Sequence, residues 1–516
     1  MICYANDRIY YYLIPSLMLI VTIFIEWQLI LSINHSFFSY SLDDPYIHLS
    51  LAKYIGMGEY GFNRGEFSSP SSSILWPFLL APFSYFSFFE FVPLFLNSLI
   101  SWFILLVFIS VCLSVETAQQ KIQWRNIVLF CLLIPSLNLI GLIFSGMEHS
   151  LQMFLSVLIM AGLIEENKTQ RFPRWLALVI ILAPLVRYET LALSVPALIL
   201  LFYRGHRKKA LYAGLLMLSF LGLFSLFLYS IGQPPLTASV LLKIDFGYNA
   251  SWDEKLLEGL SINLTQRQAL IFLMLAFILI VIIAFSNLAT AKKQLLMIAA
   301  SALILHLGLG RFNWFHRYEV YLYAAVLLLI FYLYFENYHS LKNPVLWYIT
   351  FVGGLIFSSY PYFTVLVSLP KATNNIYQQQ FQMRRFVLDW LKAPVAVNDI
   401  GWISFNNPYY VLDLWGLGNY ESYLKRRNEK NPMWMDEAVK KADIKLVMLY
   451  NNWFYTLPRN WVLLGCLSFA GSRVSAANKT VYFYATEQNY IPELKQLIHS
   501  FIKTLPQEDK FSFDCK

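Results

Sequence analysis

Apolar runs long enough to cross a bilayer recur near residues 9–33, 91–113, 126–144, 149–164, 175–188, 190–203, 209–231, 269–286, 295–309, 319–335 and 345–367. About 20 apolar residues carry a helix through hydrocarbon, where the backbone must satisfy its own hydrogen bonds. Such a pattern constrains the chain to a polytopic α-helical membrane protein with about eleven transmembrane helices. Composition agrees, because 58% of the side chains are hydrophobic and only 14% are charged, outside the soluble range. The first run is too long for the apolar region of a cleavable leader and reads as a signal anchor. A shorter stretch, 74–89, is broken by Pro77 and Pro82 and reads as a re-entrant or surface helix.

A net charge of +8 raises the question of nucleic acid, but the basic residues sit between apolar runs and read as topology determinants. With 74–89 on one side, the connections holding Lys121/Arg125, Lys168/Arg171/Arg174, Arg204/Arg207/Lys208/Lys209 and Lys292/Lys293 all fall on the cytoplasmic face. That arrangement predicts a cytoplasmic N-terminus and an extracytoplasmic C-terminal domain. The interrupted pair 175–203, split by Arg187-Tyr188-Glu189, then places polar groups at the outer face and hints at a polar cavity opening there.

After Pro370 the composition changes, so residues 1–369 form a membrane domain and 370–516 a soluble one. A helical stretch over 374–392 precedes strand-like runs at 395–398, 410–414, 445–449 and 481–484, with helices near 434–442 and 490–504. Such alternation predicts a small α/β domain, although not its topology. Of five cysteines only Cys466 and Cys515 fall in this part. A disulfide between them is open, inert thiols being the commoner state.

Four clusters of polar residues map to the outer connections. In 41–62, Asp44 before Pro45 predicts a capped helix from Pro45 to about Ile55, with Asp43 projecting ahead of it. Paired carboxylates beside a membrane suit a catalytic base or a cation site, against the plainer reading of a cap and a solvated acid. The segment 144–150 puts Glu148 and His149 in a tight turn, and 184–190 carries Arg187 and Glu189. In 310–321 lie Arg311, His316, Arg317 and Glu319, arginine being suited to forked bonding of phosphate oxygens. For these clusters the plain alternatives are mutual neutralisation and interfacial snorkelling. The connection 232–268 is a long outer loop bearing Lys243, Asp245 and Trp252, placed to cover a substrate.

These residues resemble the GT-C superfamily of membrane glycosyltransferases, most of all its arabinofuranosyltransferase and mannosyltransferase branch with an Asp-Asp first outer loop. The segment DDPYIHLSLAKYIGMGEYGFNRGEFSSPSSSILWPFLLAPF is similar to that branch's first loop, SGMEHSL to its Gly-(Leu/Met)-Glu turn, and LVRYETLAL to its Arg-x-Glu step. VNDIGWISF and VLDLWGLGN are similar to segments of its soluble tail. Tyr188 stands where Pro is common, and Pro45 where a small residue is common.

The resemblance implies a GT-C-like fold and an inverting transfer of a sugar from a polyprenyl-phosphate donor to a glycan, lipid or protein acceptor in the envelope. It places the chain in a bacterial inner membrane, in contact with membrane lipid and not with nucleic acid. Asp43 is the expected general base with Asp44 beside it; Arg317, or alternatively Arg311 or Arg187, would hold the lipid phosphate. Glu148 and Glu189, with His149, His316 and Lys243 as further substrate contacts, would position sugar hydroxyls. A divalent cation (Mg or Mn) held by Asp43 and Asp44 is left open. A transporter or flippase of a lipid-linked saccharide is the competing class. It would carry an internal repeat and charges near the bilayer midplane, which this sequence does not show.

Overall fold

The computed structural model describes residues 8–115, 123–244, 252–338, 342–429 and 431–515. Contacts divide the chain into two compact units, one of Met1–Trp27, Leu94–Leu223 and Ser251–Val367, the other of Gln28–Pro93, Phe224–Ala250 and Ser368–Lys516.

Each of the eleven apolar runs is helical. Among the described residues, eight helices are long and apolar enough to cross a membrane, from Ile9–Ile33 to Pro344–Leu391, and Arg174–Val186 and Tyr188–Tyr203 are apolar but shorter. The stretch 74–89 forms the short helix Leu75–Leu80 and a 3-10 turn at Ala81–Phe83, well short of the ~20 helical residues a crossing takes.

In the first unit, helix His149–Thr169 packs along Val320–Asn337, and Arg267–Phe285 along Thr290–Leu309. Two breaks interrupt its helices. Asn138 takes a left-handed φ of 53° between Trp124–Ser136 and Leu139–Ser145, and its side-chain amide donates to the carbonyls of Phe315 and His316 at 3.2 Å each. Arg187 is extended between Arg174–Val186 and the turn Tyr188–Thr190. Non-helical backbone of this kind persists in an apolar setting only where other protein groups take up its hydrogen bonds.

The basic connections gather at one end of this unit. Buried Glu166 pairs with Arg204 and accepts from His206 at 3.1 Å, while Arg204 also donates to Gln294 and to the Ala291 carbonyl. Glu148 precedes the same helix that carries Glu166 in its last turn, so at 1.5 Å per residue the two carboxylates lie ~27 Å apart. The helix therefore separates two charge clusters by almost the thickness of a hydrocarbon core.

The second unit is built on a sheet of order β2-β1-β3-β5-β4-β6, with β1 Val395–Val397, β2 Val411–Asp413, β3 Leu446–Leu449, β4 Val462–Ser468, β5 Thr480–Ala485 and β6 Lys510–Ser512. β1 pairs in parallel with β2 and β3, and the remaining pairs are antiparallel. Alternate residues serve opposite cores, as the two-residue period of a strand requires. Val395, Val397 and Met448 pack with Phe386, Ile498 and Phe501, whereas Ala396, Val447 and Leu449 pack with Trp434 and Val439. Ile47 and Phe62, which follow the first apolar helix, enter the former core, which is why residues 28–93 belong to this unit.

Three expectations are corrected. β4 and β6 lie outside the runs read as strands, and β6 is held by a disulfide between Cys466 and Cys515 rather than leaving two inert thiols. The long connection 232–268 is not an open loop, since it holds helices Ala238–Ile244 and Trp252–Leu264. Its Asp245 lies outside the described residues.

Just before β6, the buried carboxyl of Asp509 has neither oxygen hydrogen-bonded. Burial, with Glu508 adding to it against a weaker opposing effect from Arg385, pushes its pKa up to about 8. A folded-state pKa above the unfolded value favours the native state at low pH, and that contribution is lost as pH rises through the folded pKa. Thermal unfolding of the full chain in detergent is therefore expected to show Tm falling between about pH 4 and pH 8. Asp509→Asn should flatten that slope, and an unchanged slope in the variant would assign it to other groups.

Candidate active site

The connection after the first apolar helix begins with helix Asp44–Gly56, Pro45 fitting its first turn. The expected cap is displaced by one residue. Asp43, not Asp44, occupies the N-cap position, and its side chain makes no cap hydrogen bond. Instead Oδ2 accepts from the Gly401 N–H at 2.6 Å and Oδ1 from the Trp402 N–H at 2.8 Å. The side chain that local sequence left without a partner thus finds two donors 358 and 359 positions away.

Packing explains why this docking is specific. The Trp402 indole stacks on Tyr46 with ring centres 3.7 Å apart, and Ser50 meets Ser404 at 3.0 Å. A side chain at Gly401 would collide with the Asp43 backbone oxygen and carboxyl, so glycine is required for the close approach. Trp402 is buried in this contact.

Asp43 is only 6% exposed. Burial, followed by the neighbouring charge of Asp399, holds its pKa well above the usual carboxylate range, against the pull of the Trp402 N–H. Asp399 is raised as well, chiefly by burial, with Gln380 donating to it at 2.9 Å and the Tyr450 hydroxyl at 3.3 Å. Two carboxyls that cannot both ionise freely share proton affinity between them. Asp44 is half-buried at the start of the helix.

The residues fit a divalent cation poorly. Both Asp43 oxygens already accept backbone N–H groups, and among the described residues no group of three or more His, Cys, Asp or Glu side chains is placed to hold a metal. Hard cations want six or more oxygen ligands.

In the first unit, three motifs converge, the Glu148 and Arg187 motifs 39 residues apart in sequence and the Arg317 motif well beyond both. Gly146, at φ 66°, ends helix Leu139–Ser145 and turns the chain into Glu148. Arg187 donates to Glu148 at 2.7 Å and to both carboxylate oxygens of Glu189, at 2.6 and 3.2 Å. Arg187 and Glu148 are almost wholly buried. Arg317 donates to the Tyr318 hydroxyl at 3.1 Å, and the guanidinium carbons of Arg317 and Arg187 lie 5.0 and 5.3 Å from the Tyr318 ring centre. His149 meets the same ring at 5.7 Å. Tyr318 is the hub of this cluster, and reasoning from charge alone passed over it.

The approach to the hub is unusual. Asn313, Trp314, Phe315 and His316 all have positive φ, between 49° and 70°. Left-handed backbone costs roughly 1–2 kcal/mol per residue for L-amino acids. Polar contacts hold the turn: Glu319 accepts from the Asn313 N–H at 3.1 Å and pairs with His316 at 3.0 Å, and Asn138 donates to the two carbonyls noted above. Backbone of this kind persists only where the surrounding structure holds it.

The Arg311 carbonyl contacts His306 at 3.1 Å, and its guanidinium interacts electrostatically with Tyr318. Burial lowers the pKa of its half-buried guanidinium. Lys243 belongs to the second unit, half-buried in the last turn of helix Ala238–Ile244, whose first N–H donates to the Ser69 carbonyl at 3.1 Å.

Removing one member of a buried ion pair leaves the other charge uncompensated, at about 3–5 kcal/mol. Arg187→Met is therefore expected to lower stability by about that amount. Adding Glu148→Gln should recover part of the loss, as read from thermal or denaturant unfolding in detergent. Equal stability of wild type and Arg187→Met would show that the triad contributes nothing to the fold.

Residues 374–484 match the family described as Domain of unknown function (DUF8728), which runs from the helical extension before β1 into β5. No curated protein matches the chain. Among solved structures, the chain is similar to the crystal structure of the Archaeoglobus fulgidus oligosaccharyltransferase in complex with Zn and sulfate. That alignment covers 91% of this chain and 74% of the other, at a TM-score of 0.48 and 13% sequence identity.

Proposed function

We propose that the protein is a GT-C-type membrane glycosyltransferase. It moves a sugar from a polyprenyl-phosphate donor to an envelope glycan, lipid or protein acceptor at the outer face of a bacterial inner membrane. The observation that carries this reading is the convergence of the Glu148, Arg187 and Arg317 motifs within the first unit. Orientation rests on the basic connections joined at one end of the first unit. The Cys466–Cys515 disulfide supports an oxidising compartment for the C-terminal domain.

In the proposed reaction, the acceptor hydroxyl attacks the anomeric carbon as the carbon–oxygen bond to the lipid phosphate breaks. The hydroxyl proton passes to Asp43, and the configuration inverts. Two backbone N–H donors hold Asp43 in place, and the Asp399 carboxyl lies within hydrogen-bonding reach of it. A raised pKa brings a carboxylate nearer the pH at which it works as a base. Asp44 adds negative charge beside it, and Asp399 acts as a positioning residue.

Arg317 is assigned to the leaving phosphate, where a fixed positive charge stabilises the growing negative one. Arg187, already committed to two carboxylates, orders Glu148 and Glu189 for sugar hydroxyls, with His149 and His316 beside them. Arg311 and Lys243 complete the proposed substrate contacts.

Turnover by the full-length protein, with radiolabelled polyprenyl-phosphate sugars and an envelope extract as acceptor, is expected to fall about 10²–10⁴-fold in Asp43→Asn. Normal turnover in that variant, or a product of retained configuration, would remove Asp43 from this role. In Asp399→Asn the loss of a neighbouring negative charge should lower the pKa of Asp43. The acidic limb of the pH–rate profile is then expected to move to lower pH, an effect that a purely structural contact would not produce.

A further inference from the structure

A polar cleft lies in the same unit as Asp43 but is lined by other residues. Its volume is about 580 Å³, within the range of small-molecule sites, and it opens along the edge strand β2. Leu412 and Trp434 line its apolar wall, and both belong to the core on that face of the sheet. Its polar rim is supplied by the first outer loop through Glu66, by Tyr410 and Asn419 beside β2, and by helices Tyr420–Asn428 and Met433–Lys441.

The polar groups are held before any ligand arrives. Glu66 accepts from Asn419 at 3.2 Å through one oxygen and from Asn63 at 3.0 Å through the other. Asn419 is itself fixed, since its carbonyl oxygen accepts the Ser422 N–H and caps the helix that follows. The Tyr410 hydroxyl lies within hydrogen-bonding reach of both Glu66 and Asn419. Carboxylate, amide and phenol thus stand side by side with fixed donor and acceptor directions.

Charge narrows the ligand class. The lining holds three carboxylates, on Glu66, Glu421 and Glu437, against the amines of Lys425 and Lys441, and Glu421 pairs with Lys425 at 3.1 Å. Such near balance suits neither a phosphate nor a polycation. Paired donors and acceptors over an apolar wall do suit vicinal hydroxyls on a ring with C–H faces. Addition of a peptide strand to β2 is opposed by Asn63. Its side chain already accepts the Val411 N–H at 3.1 Å and donates to the Val411 carbonyl at 2.9 Å, closing that edge.

We propose that this cleft is a binding subsite for a neutral saccharide, holding part of a glycan acceptor away from the reacting hydroxyl. The assignment to an acceptor rests on the glycosyltransferase reading; the saccharide site itself does not.

The test is saturation-transfer NMR on the full-length protein in a sugar-free detergent, with lactose and chitobiose as separate probes. Transfer to at least one probe is expected, falling at least about fivefold in Tyr410→Phe and in Glu437→Ala, a surface change that spares the Glu66–Asn419 contact. Asp43→Asn should leave transfer unchanged. Absence of transfer to both sugars, or equal transfer in wild type and both cleft variants, would overturn the subsite. Turnover separates the two readings. Should no sugar donor be consumed while the probes still bind and respond to the cleft variants, the subsite stands and the transferase reading falls. If the subsite serves the acceptor, Glu437→Ala should raise KM for acceptor severalfold with kcat retained.

Discussion

The carboxylate of Asp43 accepting the N–H groups of Gly401 and Trp402 is the contact on which the second unit's organisation turns. It joins the connection after the first apolar helix to the C-terminal domain across most of the chain. Loop closure over such a separation costs only a slowly growing entropy, but the ends must be held by contacts that ordering one residue alone cannot supply. Here the carboxylate is reinforced by Tyr46 stacking on Trp402 and by Phe62 and Ile47 entering the domain's core. The helix Asp44–Gly56 and the sheet are therefore parts of one folding unit, and a single set of backbone donors fixes the acid at its start.

The first unit shows the same economy in an apolar setting. Its helical runs are interrupted at Asn138 and Arg187, and the left-handed turn Asn313–His316 has its Asn313 N–H taken up by Glu319 and its Phe315 and His316 carbonyls by Asn138. Unsatisfied polar groups in hydrocarbon cost several kcal/mol each, so such side-chain partners are a condition for the turn to exist. The outcome is a dense polar hub, Glu148–Arg187–Glu189 with Arg317, His149 and Tyr318, at one end of helix His149–Thr169. A second, structural network around Arg204 and Glu166 closes the other end.

Much of this was legible from local pattern. The apolar runs placed the helices because hydrocarbon imposes one simple rule, and the Gly146 turn and the Arg187 interruption stood out as exceptions to that rule. β1, β2, β3 and β5 were readable as short apolar segments, whereas β4, Val462–Ser468, carries Gly465 and a register shift that weaken its strand signature. β6 is only three residues long, too short for any periodicity to register. Tyr318 was passed over because one aromatic among many in an aromatic-rich chain carries no signal. Asp399 escaped because its significance lies in its distance from Asp43, which spacing in sequence cannot express.

What the sequence determined by itself was the membrane class, the number and order of helical runs, the α/β character of the tail and the identity of the charged motifs. Those properties follow from hydropathy, periodicity and turn chemistry, each of which acts over a few residues. Only the tertiary structure decided that Asp43 is bound by the C-terminal domain, that Arg187 lies between two glutamates, that Cys466 reaches Cys515, and that Asn63 closes the edge of β2. Pairings of that kind depend on which distant groups packing brings within hydrogen-bonding reach, and no local rule encodes that distance.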